Sequence, residues 1–416
     1  MKIYKSIYIV LTLFLASSLM LPGLGKDPFS QTKFIPGISF IMDFSYMRRN
    51  LDNETFVTLH TPGIFALHGH NEEHAHGSAG NGFNFNYGEL VLFAAVDPYF
   101  DLFTTFHLSE GDFEIEEAYV TSRRLPWGLG LKIGKFLSSF GRINAQHAHN
   151  WDFMEKPLVH LAIFGAEGLS EKGIQLNWVA PTDFFLTLGV ETLQGTNENS
   201  FGTEGFHVIN ATTAEELDIA ETPLPNLWTF FGKTSVETGN LVTLAGVSYA
   251  TGLTRVNLLE DEHEPHAFSG TTGIFGVDVY AKYIIDSHRY LSFQGEYLAR
   301  KITGWQYNVL NNDLDGFKVE RLPMTKKQAG GYAQLIYRFH KTWRLGVRWE
   351  TLQKNALADN LNRYSVMLDY SPTEFSRIRL QYNRNQFQFI GDKRKDYNEF
   401  VLQFNVAIGA HGAHAF

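Results

Sequence analysis

The chain contains no cysteine. That absence removes a disulfide scaffold, thiolate metal sites and a lipid anchor through a thiol. Long apolar runs are missing too. Beyond Lys26 the longest is Leu90 to Val96, far short of the roughly twenty residues a transmembrane helix needs. Positive charge is in deficit: 35 Lys and Arg stand against 44 Asp and Glu, a net charge of −9. That balance argues against nucleic acid as a partner. No Gly-x-Ser-x-Gly elbow occurs and no Ser/His pair stands out, so hydrolase chemistry is not indicated and the chain reads as a non-enzyme.

What is present begins with an export signal. Lys2 and Lys5 supply a positive start, Ile7 to Leu19 is mostly apolar, and Pro22-Gly23-Leu24-Gly25 offers small residues and a turn. This order predicts a cleavable signal peptide over 1–25, with 26–416 as one domain.

From Pro36 onward the dominant period is two. Ile38, Phe40, Met42, Phe44 and Tyr46 alternate with Ser39, Ile41, Asp43 and Ser45. Leu345, Val347 and Trp349 alternate with Arg344, Arg348 and Glu350, and Leu402, Phe404 and Val406 alternate with Gln403 and Asn405. One parity of a strand faces one side. An apolar face opposite so charged a face suits lipid outside and water inside. Aromatic content of 14% and 37 glycines fit many short strands and turns.

The connectors alternate in length. Tight turns fall at Asp97-Pro98, Leu125 to Gly128, Pro181 to Asp183, Glu237 to Asn240, Asp286 to His288, His340 to Thr342 and Ser371 to Glu374. Between them lie longer polar stretches at 48–82, 138–170, 195–226, 254–271, 302–326, 353–361 and 388–396, with one short connection at Glu110 to Asp112. The expectation is an all-β, transmembrane antiparallel β-barrel of about 16 strands, with short periplasmic turns and long extracellular loops. Aromatics crowd the tight-turn ends, at Tyr99, Phe100, Phe184, Phe185, Tyr290, Trp343, Tyr370 and Phe375, where an interfacial girdle belongs.

Two segments carry a family resemblance. Glu117-Ala118-Tyr119-Val120, then Gly130 to Phe136 and Phe140-Gly141-Arg142, resemble the strand-turn-strand signature of the phosphate-selective porin O and P superfamily. Ser139 stands where that signature has proline. His147-Ala148-His149-Asn150-Trp151-Asp152-Phe153, Gly165 to Leu169 and the tail His411 to Phe416 resemble proteins labelled zinc-regulated, TonB-dependent outer-membrane receptors. Such transporters carry a globular plug, and the few residues between Lys26 and the first strand leave no room for one. The resemblance therefore implies a plugless, porin-like member. It also implies that the terminal aromatic Phe416 is a barrel-assembly signal, and that the third outer loop folds into the channel carrying Arg142, Asp152, Glu155, Lys156 and Glu167.

Histidine is concentrated. His68, His70, His74 and His76 crowd one stretch with Glu72 and Glu73 between them; His147 and His149 precede Asp152; His263 and His266 flank Glu264. Imidazole and carboxylate are what zinc, nickel or copper accept when thiolate is absent. These residues are the candidate metal ligands, with zinc the expected cation and no cofactor required. Arg344 and Arg348 on the thirteenth strand and Arg377 and Arg379 on the fifteenth fall on the lumen-facing parity, and are candidate channel-lining charges with Arg142 and Glu155, since charge near a pore sets ion selectivity.

The function read from these features is an outer-membrane diffusion channel for small hydrophilic solutes or ions, with metal-binding outer loops. The alternatives are a closed barrel serving surface metal binding or adhesion, and a metal-uptake receptor. Expected partners are outer-membrane lipid and lipopolysaccharide, the barrel-assembly machinery, small solutes or metal ions, and sister chains in a homotrimer.

Overall fold

The computed structural model describes residues 36–53, 59–60, 80–260, 265–313, 316–353, 361–389 and 394–409. The expected signal peptide, His68, His70, His74, His76, His263, His411, His414 and Phe416 lie outside the described residues.

Among the described residues nineteen strands form one sheet. Three are short pieces of outer connections, at Leu59–His60, Phe206–Asn210 and Glu216–Ile219, and the other sixteen build the wall. In chain order the first eight are β1 (Gly37–Arg49), β2 (Gly82–Ala95), β3 (Phe100–Leu108), β4 (Phe113–Ser122), β5 (Leu129–Leu137), β6 (Ser170–Val179), β7 (Phe185–Leu193) and β8 (Leu227–Thr238). The rest are β9 (Leu241–Leu258), β10 (His266–Ile284), β11 (Tyr290–Asp313), β12 (Gly316–His340), β13 (Trp343–Leu352), β14 (Leu361–Thr373), β15 (Ser376–Phe389) and β16 (Arg394–Gly409). Each pairs antiparallel with the next. β1 then pairs with β16, with Phe44 opposite Phe404 and Tyr46 opposite Leu402, and the sheet closes. Closure leaves no wall strand with an open edge, the condition hydrocarbon imposes on a β-structure.

The wall is inside out relative to a soluble barrel. Leu402 and Leu380 are 48% and 52% exposed, while Arg379 and Gln403 are 1% and 5% exposed. Val347 and Trp349 face outward, and Arg348 and Glu350 are buried. Exposed Tyr99, Trp127, Phe184, Phe185 and Phe375 ring the short-turn end, and Trp343 packs on Tyr370 at 4.7 Å. A closed barrel with an outward apolar band and an aromatic girdle is an outer-membrane barrel. Among the described residues no helix is long and apolar enough to span a membrane; the strands do the crossing.

The tight turns fall where the sequence places them. At Asp286 the His288 N–H and the Arg289 guanidinium hold the carboxyl down to about 2, so this turn keeps its charge. Two long connections differ from expectation. Residues 254–271 and 302–326, read as loops, are largely strand, and β11 and β12 run in register from Tyr290 opposite Arg338 to Asp313 opposite Gly316. These strands far exceed the roughly 9–11 residues a bilayer requires. Their inner faces explain the extension. Val256, Phe268, Ile302 and Met324 form one buried cluster, and Tyr307, Val319, Leu259 and Ala267 form another with Phe206 and Val208 of the outer connection 195–226. Apolar burial, absent from a solvated loop, makes the projecting hairpin the lower free-energy form.

Because the protein lacks cysteine, single-cysteine labelling is clean. Gly111→Cys, at the loop end, should react with an impermeant maleimide on intact cells, and Asp183→Cys, at the short-turn end, should react only after permeabilisation. The reverse pattern would invert the barrel.

Candidate functional site

The connection 138–169, between β5 and β6, enters the barrel instead of lying over its mouth. It turns inward at Gly141, whose φ of +64° belongs to the left-handed region that glycine adopts without strain. A Cβ there would also meet Glu296 Oε2 at 2.5 Å. On the facing wall, Gly276 of β10 makes room for the Phe140 ring, which a Cβ would meet at 2.8 Å. The loop then forms a 3-10 turn over Ala148–Asn150 and one short helix, α1, over Leu158–Phe164.

α1 is apolar nearly all round. Leu158, Val159, Ala162, Ile163 and Phe164 are buried in one cluster with Phe140 of the same loop and Phe136, Leu193, Leu298 and Leu352 of the wall. This interior core fixes the loop against β11, β12 and β13. Pro157 precedes α1 and Gly165, at φ +77°, ends it; no side chain of the loop caps its first turn. The cap comes from the wall: Leu158 N–H donates to Glu350 Oε2 at 2.7 Å, where a carboxylate also suits the positive end of a helix.

That arrangement repeats around the loop. The Arg142 and Ile143 N–H groups donate to Glu296 at 3.0 and 2.8 Å, Ser139 N–H to Glu191 at 2.8 Å, and Met154 N–H to Gln381 at 3.0 Å. Wall guanidiniums serve the carbonyls. Arg348 donates to Glu155 O at 3.0 Å, Arg363 to Lys156 O at 2.7 Å, Arg377 to His149 O at 3.0 Å and Arg379 to Trp151 O at 3.1 Å. The charges balance locally. Glu350 bridges Arg348 and Arg363 at 2.8 and 2.7 Å, and Asp369 bridges Arg344 and Arg379.

The four arginines singled out by parity thus project inward, each engaged by the inserted loop or by Asp369 and Glu350. Arg344 remains 21% exposed on its side chain, alongside Asp152 at 2.8 Å. Arg142 stacks on Tyr280 with its Cζ 4.3 Å from the ring, and Glu155 accepts from Gln381 and Asn383, each at 2.6 Å. Half-buried Arg142, Asp152, Glu155, Arg344 and Arg377 are the candidate charges still reached by solvent.

The histidines separate. His147 and His149 stack with ring centroids 5.9 Å apart, but Asp152 is not with them; it binds Arg344 and Gln334. The carboxylates around the pair come from the wall. His147 Nε2 lies 2.7 Å from Glu117 Oε2, and its Nδ1 lies 3.3 Å from Glu116 Oε1 and 3.6 Å from Glu89 Oε1. His149 Nδ1 is 3.0 Å from Glu89 Oε2. Consecutive residues of a strand face opposite sides, yet Glu116 and Glu117 both reach His147. The cause is a β-bulge: Thr105 pairs with Glu117 and Phe106 with Ile115, leaving Glu116 as the extra residue, and a bulge re-aims a side chain. Glu-Glu before the Ala118-Tyr119 motif was the available signal; the bulge itself has none. His266, expected in a loop, is the first residue of β10, opposite Leu258 and Asn308.

No protein-family model matches the chain. A curated relative, an uncharacterized protein of Aquifex aeolicus, is 50% identical over 399 residues, covering 94% of this chain and 82% of that protein. Three solved structures share the fold. The outer membrane channel DcaP of Acinetobacter baumannii has a TM-score of 0.52 at 12% identity, over 93% of this chain and 100% of that one. OmpT of Vibrio cholerae has a TM-score of 0.51 at 11% identity, over 92% and 99%. The anion-selective porin of Comamonas acidovorans has a TM-score of 0.51 at 9% identity, over 90% and 100%. At such identities the likeness concerns the barrel fold.

Removing one wall carboxylate tests the anchoring. Glu350→Ala leaves Arg348 and Arg363 buried without their anion and α1 without its cap. Breaking a buried pair from one side costs about 3–5 kcal/mol. Denaturant unfolding in detergent should show a loss of that order, and limited proteolysis should newly cut within 138–169.

Proposed function

We propose that this chain, which belongs to one family with the uncharacterized Aquifex aeolicus protein, is a passive outer-membrane channel for small hydrophilic solutes or ions. The observation that carries this reading is the inserted loop. It enters a polar lumen and is held by the wall at many points, a construction that suits an eyelet. The residues act by field and geometry, not by reaction chemistry, so we read the protein as a non-enzyme. Partly exposed Arg142, Asp152, Glu155, Arg344 and Arg377 would set the field a permeant ion meets, while the buried Arg348 and Arg379 shape the loop. The motif at Glu117 to Arg142 supports kinship with phosphate-selective porins, and the Comamonas acidovorans protein shows that this fold can be anion-selective.

The second part of the reading concerns the mouth. His68, His70, His74, His76, His263 and His266 would gather divalent metal, zinc before others by ligand type. Ordering a glycine-rich loop costs entropy, so the affinity is micromolar, not that of a closed structural site, and falls below about pH 6 as imidazoles near pKa 6.5 take up protons. Lipid and lipopolysaccharide surround the wall, the barrel-assembly machinery inserts it with Phe416 as signal, and three copies associate. A closed-barrel metal-binding or adhesion protein, or a metal-uptake receptor, is the competing reading.

Planar-bilayer recording separates these readings. Purified protein should give discrete conductance steps, and Arg142→Gln with Arg344→Gln should shift the reversal potential toward cations. A silent barrel would leave the closed-barrel reading. In equilibrium dialysis at pH 7.5, replacing His68, His70, His74 and His76 with Ala should lower bound zinc without affecting assembly; equal uptake would make these ordinary loop residues.

A further inference from the structure

We infer that Glu89, Glu116 and His147 form a divalent-cation site inside the barrel, where the inserted loop meets β2 and β4. It is separate from the histidines at the mouth, and two of its ligands come from the wall. One ligand atom from each residue lies within 4.8 Å of the other two, and His147 Nδ1 faces both Glu116 Oε1 and Glu89 Oε1. Ligands about 2.1 Å from a tetrahedral ion stand about 3.4 Å apart. The observed separations from Nδ1, 3.3 and 3.6 Å, fall on either side of that distance.

A second observation points the same way. Glu89 is 2% exposed, yet its Oε1 makes no hydrogen bond, and neither does His147 Nδ1. Leaving such buried groups without a hydrogen bond is unfavourable, and here the two face each other at 3.6 Å. The surroundings prepare them for a metal. With its proton on Nε2, His147 donates to Glu117 Oε2 at 2.7 Å, which turns the Nδ1 lone pair toward Glu89 and Glu116. This is the carboxylate–histidine–metal arrangement that fixes tautomer and raises ligand basicity. Glu117 is itself held by the Leu137 N–H at 2.8 Å. His149 lies 3.0 Å from Glu89 Oε2 and orients that carboxylate.

One imidazole with two carboxylates selects borderline cations such as zinc over magnesium or calcium, which prefer all-oxygen shells. Three protein ligands leave a position open to water or a solute in the lumen. A bound ion would tie the 147–149 stretch to β2 and β4, and so fix one side of the eyelet. The site does not depend on whether the barrel conducts.

The test uses the full chain in detergent, stripped with chelator, with His68, His70, His74, His76, His263 and His266 replaced by Asn. Dialysed against zinc at pH 7.5, this parent should retain one equivalent more than its His147→Gln derivative. Glu116→Gln should also lose that equivalent, and Glu117→Gln should bind about 10–100-fold more weakly. Cobalt(II) should give the parent a strong visible absorption of tetrahedral type that His147→Gln lacks. Heat-modifiable gel migration reports that each variant is a folded barrel. Equal zinc in the parent and in folded His147→Gln overturns the site, as does an unchanged cobalt spectrum; in that case a proton on His147 fills the gap instead. Bilayer recordings on the same samples keep the two ideas apart. Conductance without the zinc equivalent sinks the site alone, and zinc without conductance sinks the channel alone.

Discussion

An irregular segment inside a barrel must find a partner for every buried backbone N–H and C=O, and the turns within 138–169 pair only part of them. Unpaired peptide groups at that depth cost several kcal/mol each. The wall answers with side chains. Glu191, Glu296 and Glu350 take the loop's amides, and Arg348, Arg363, Arg377 and Arg379 supply its carbonyls. Each of these charges must in turn be neutralised. Hence Glu350 sits between two arginines, and Asp369 between another two. The charge pattern of the lumen face is in large part the shape of the loop written onto the wall.

That constraint changes how a stripe of arginine should be read. Spacing along β13 and β15 gives the side that Arg344, Arg348, Arg377 and Arg379 face. It does not give what they meet. A guanidinium that is 1% or 3% exposed, as Arg379 and Arg348 are, and that is paired with a carboxylate, contributes little field to a passing ion. Arg344, Arg142, Glu155, Asp152 and Arg377 are only partly covered and keep access to solvent. If the barrel conducts as proposed, its selectivity follows from whatever charge the anchoring does not consume.

The barrel was legible because its signal is repetitive. Alternation along Ile38 to Tyr46 or Leu402 to Val406 fixes the facing of every strand, and Pro, Gly, Asp and Asn mark the turns. Legibility failed where the same period continued past its expected use. Tyr307 and Val319 alternate as well as any lipid-facing pair, yet they bury against Phe206 and Val208 in a hairpin beyond membrane length. Period two reports a face, not the medium it meets. The site was harder still. His147 and His149 were visible as a pair, and Asp152 looked like their companion at close spacing. A loop pinned along its length turns neighbouring side chains to different walls, so Asp152 went to Arg344. The carboxylates that did join the histidines lie on β2 and β4, brought there by closure and by one bulged residue that no composition or spacing announces.

The loop is not held evenly, and the unevenness locates where the eyelet could respond to its surroundings. Residues 158–164 are locked by apolar contact, and Phe153 is buried with Ile336 and Met367. Such packing is indifferent to pH and to ions. The stretch 145–151 contributes to none of these clusters. Its ties to the wall run through the His147 and His149 rings to Glu89, Glu116 and Glu117, and through carbonyls to Arg377 and Arg379. Three carboxylates around two imidazoles repel one another unless a positive charge sits among them, whether proton or metal ion. The position of this stretch is therefore tied to the occupancy of that one spot, while the remainder of the loop stays fixed as a frame. If the barrel conducts as proposed, any sensitivity to its ionic surroundings should be sought there and not along Arg348 and Arg379, which Glu350 and Asp369 already hold.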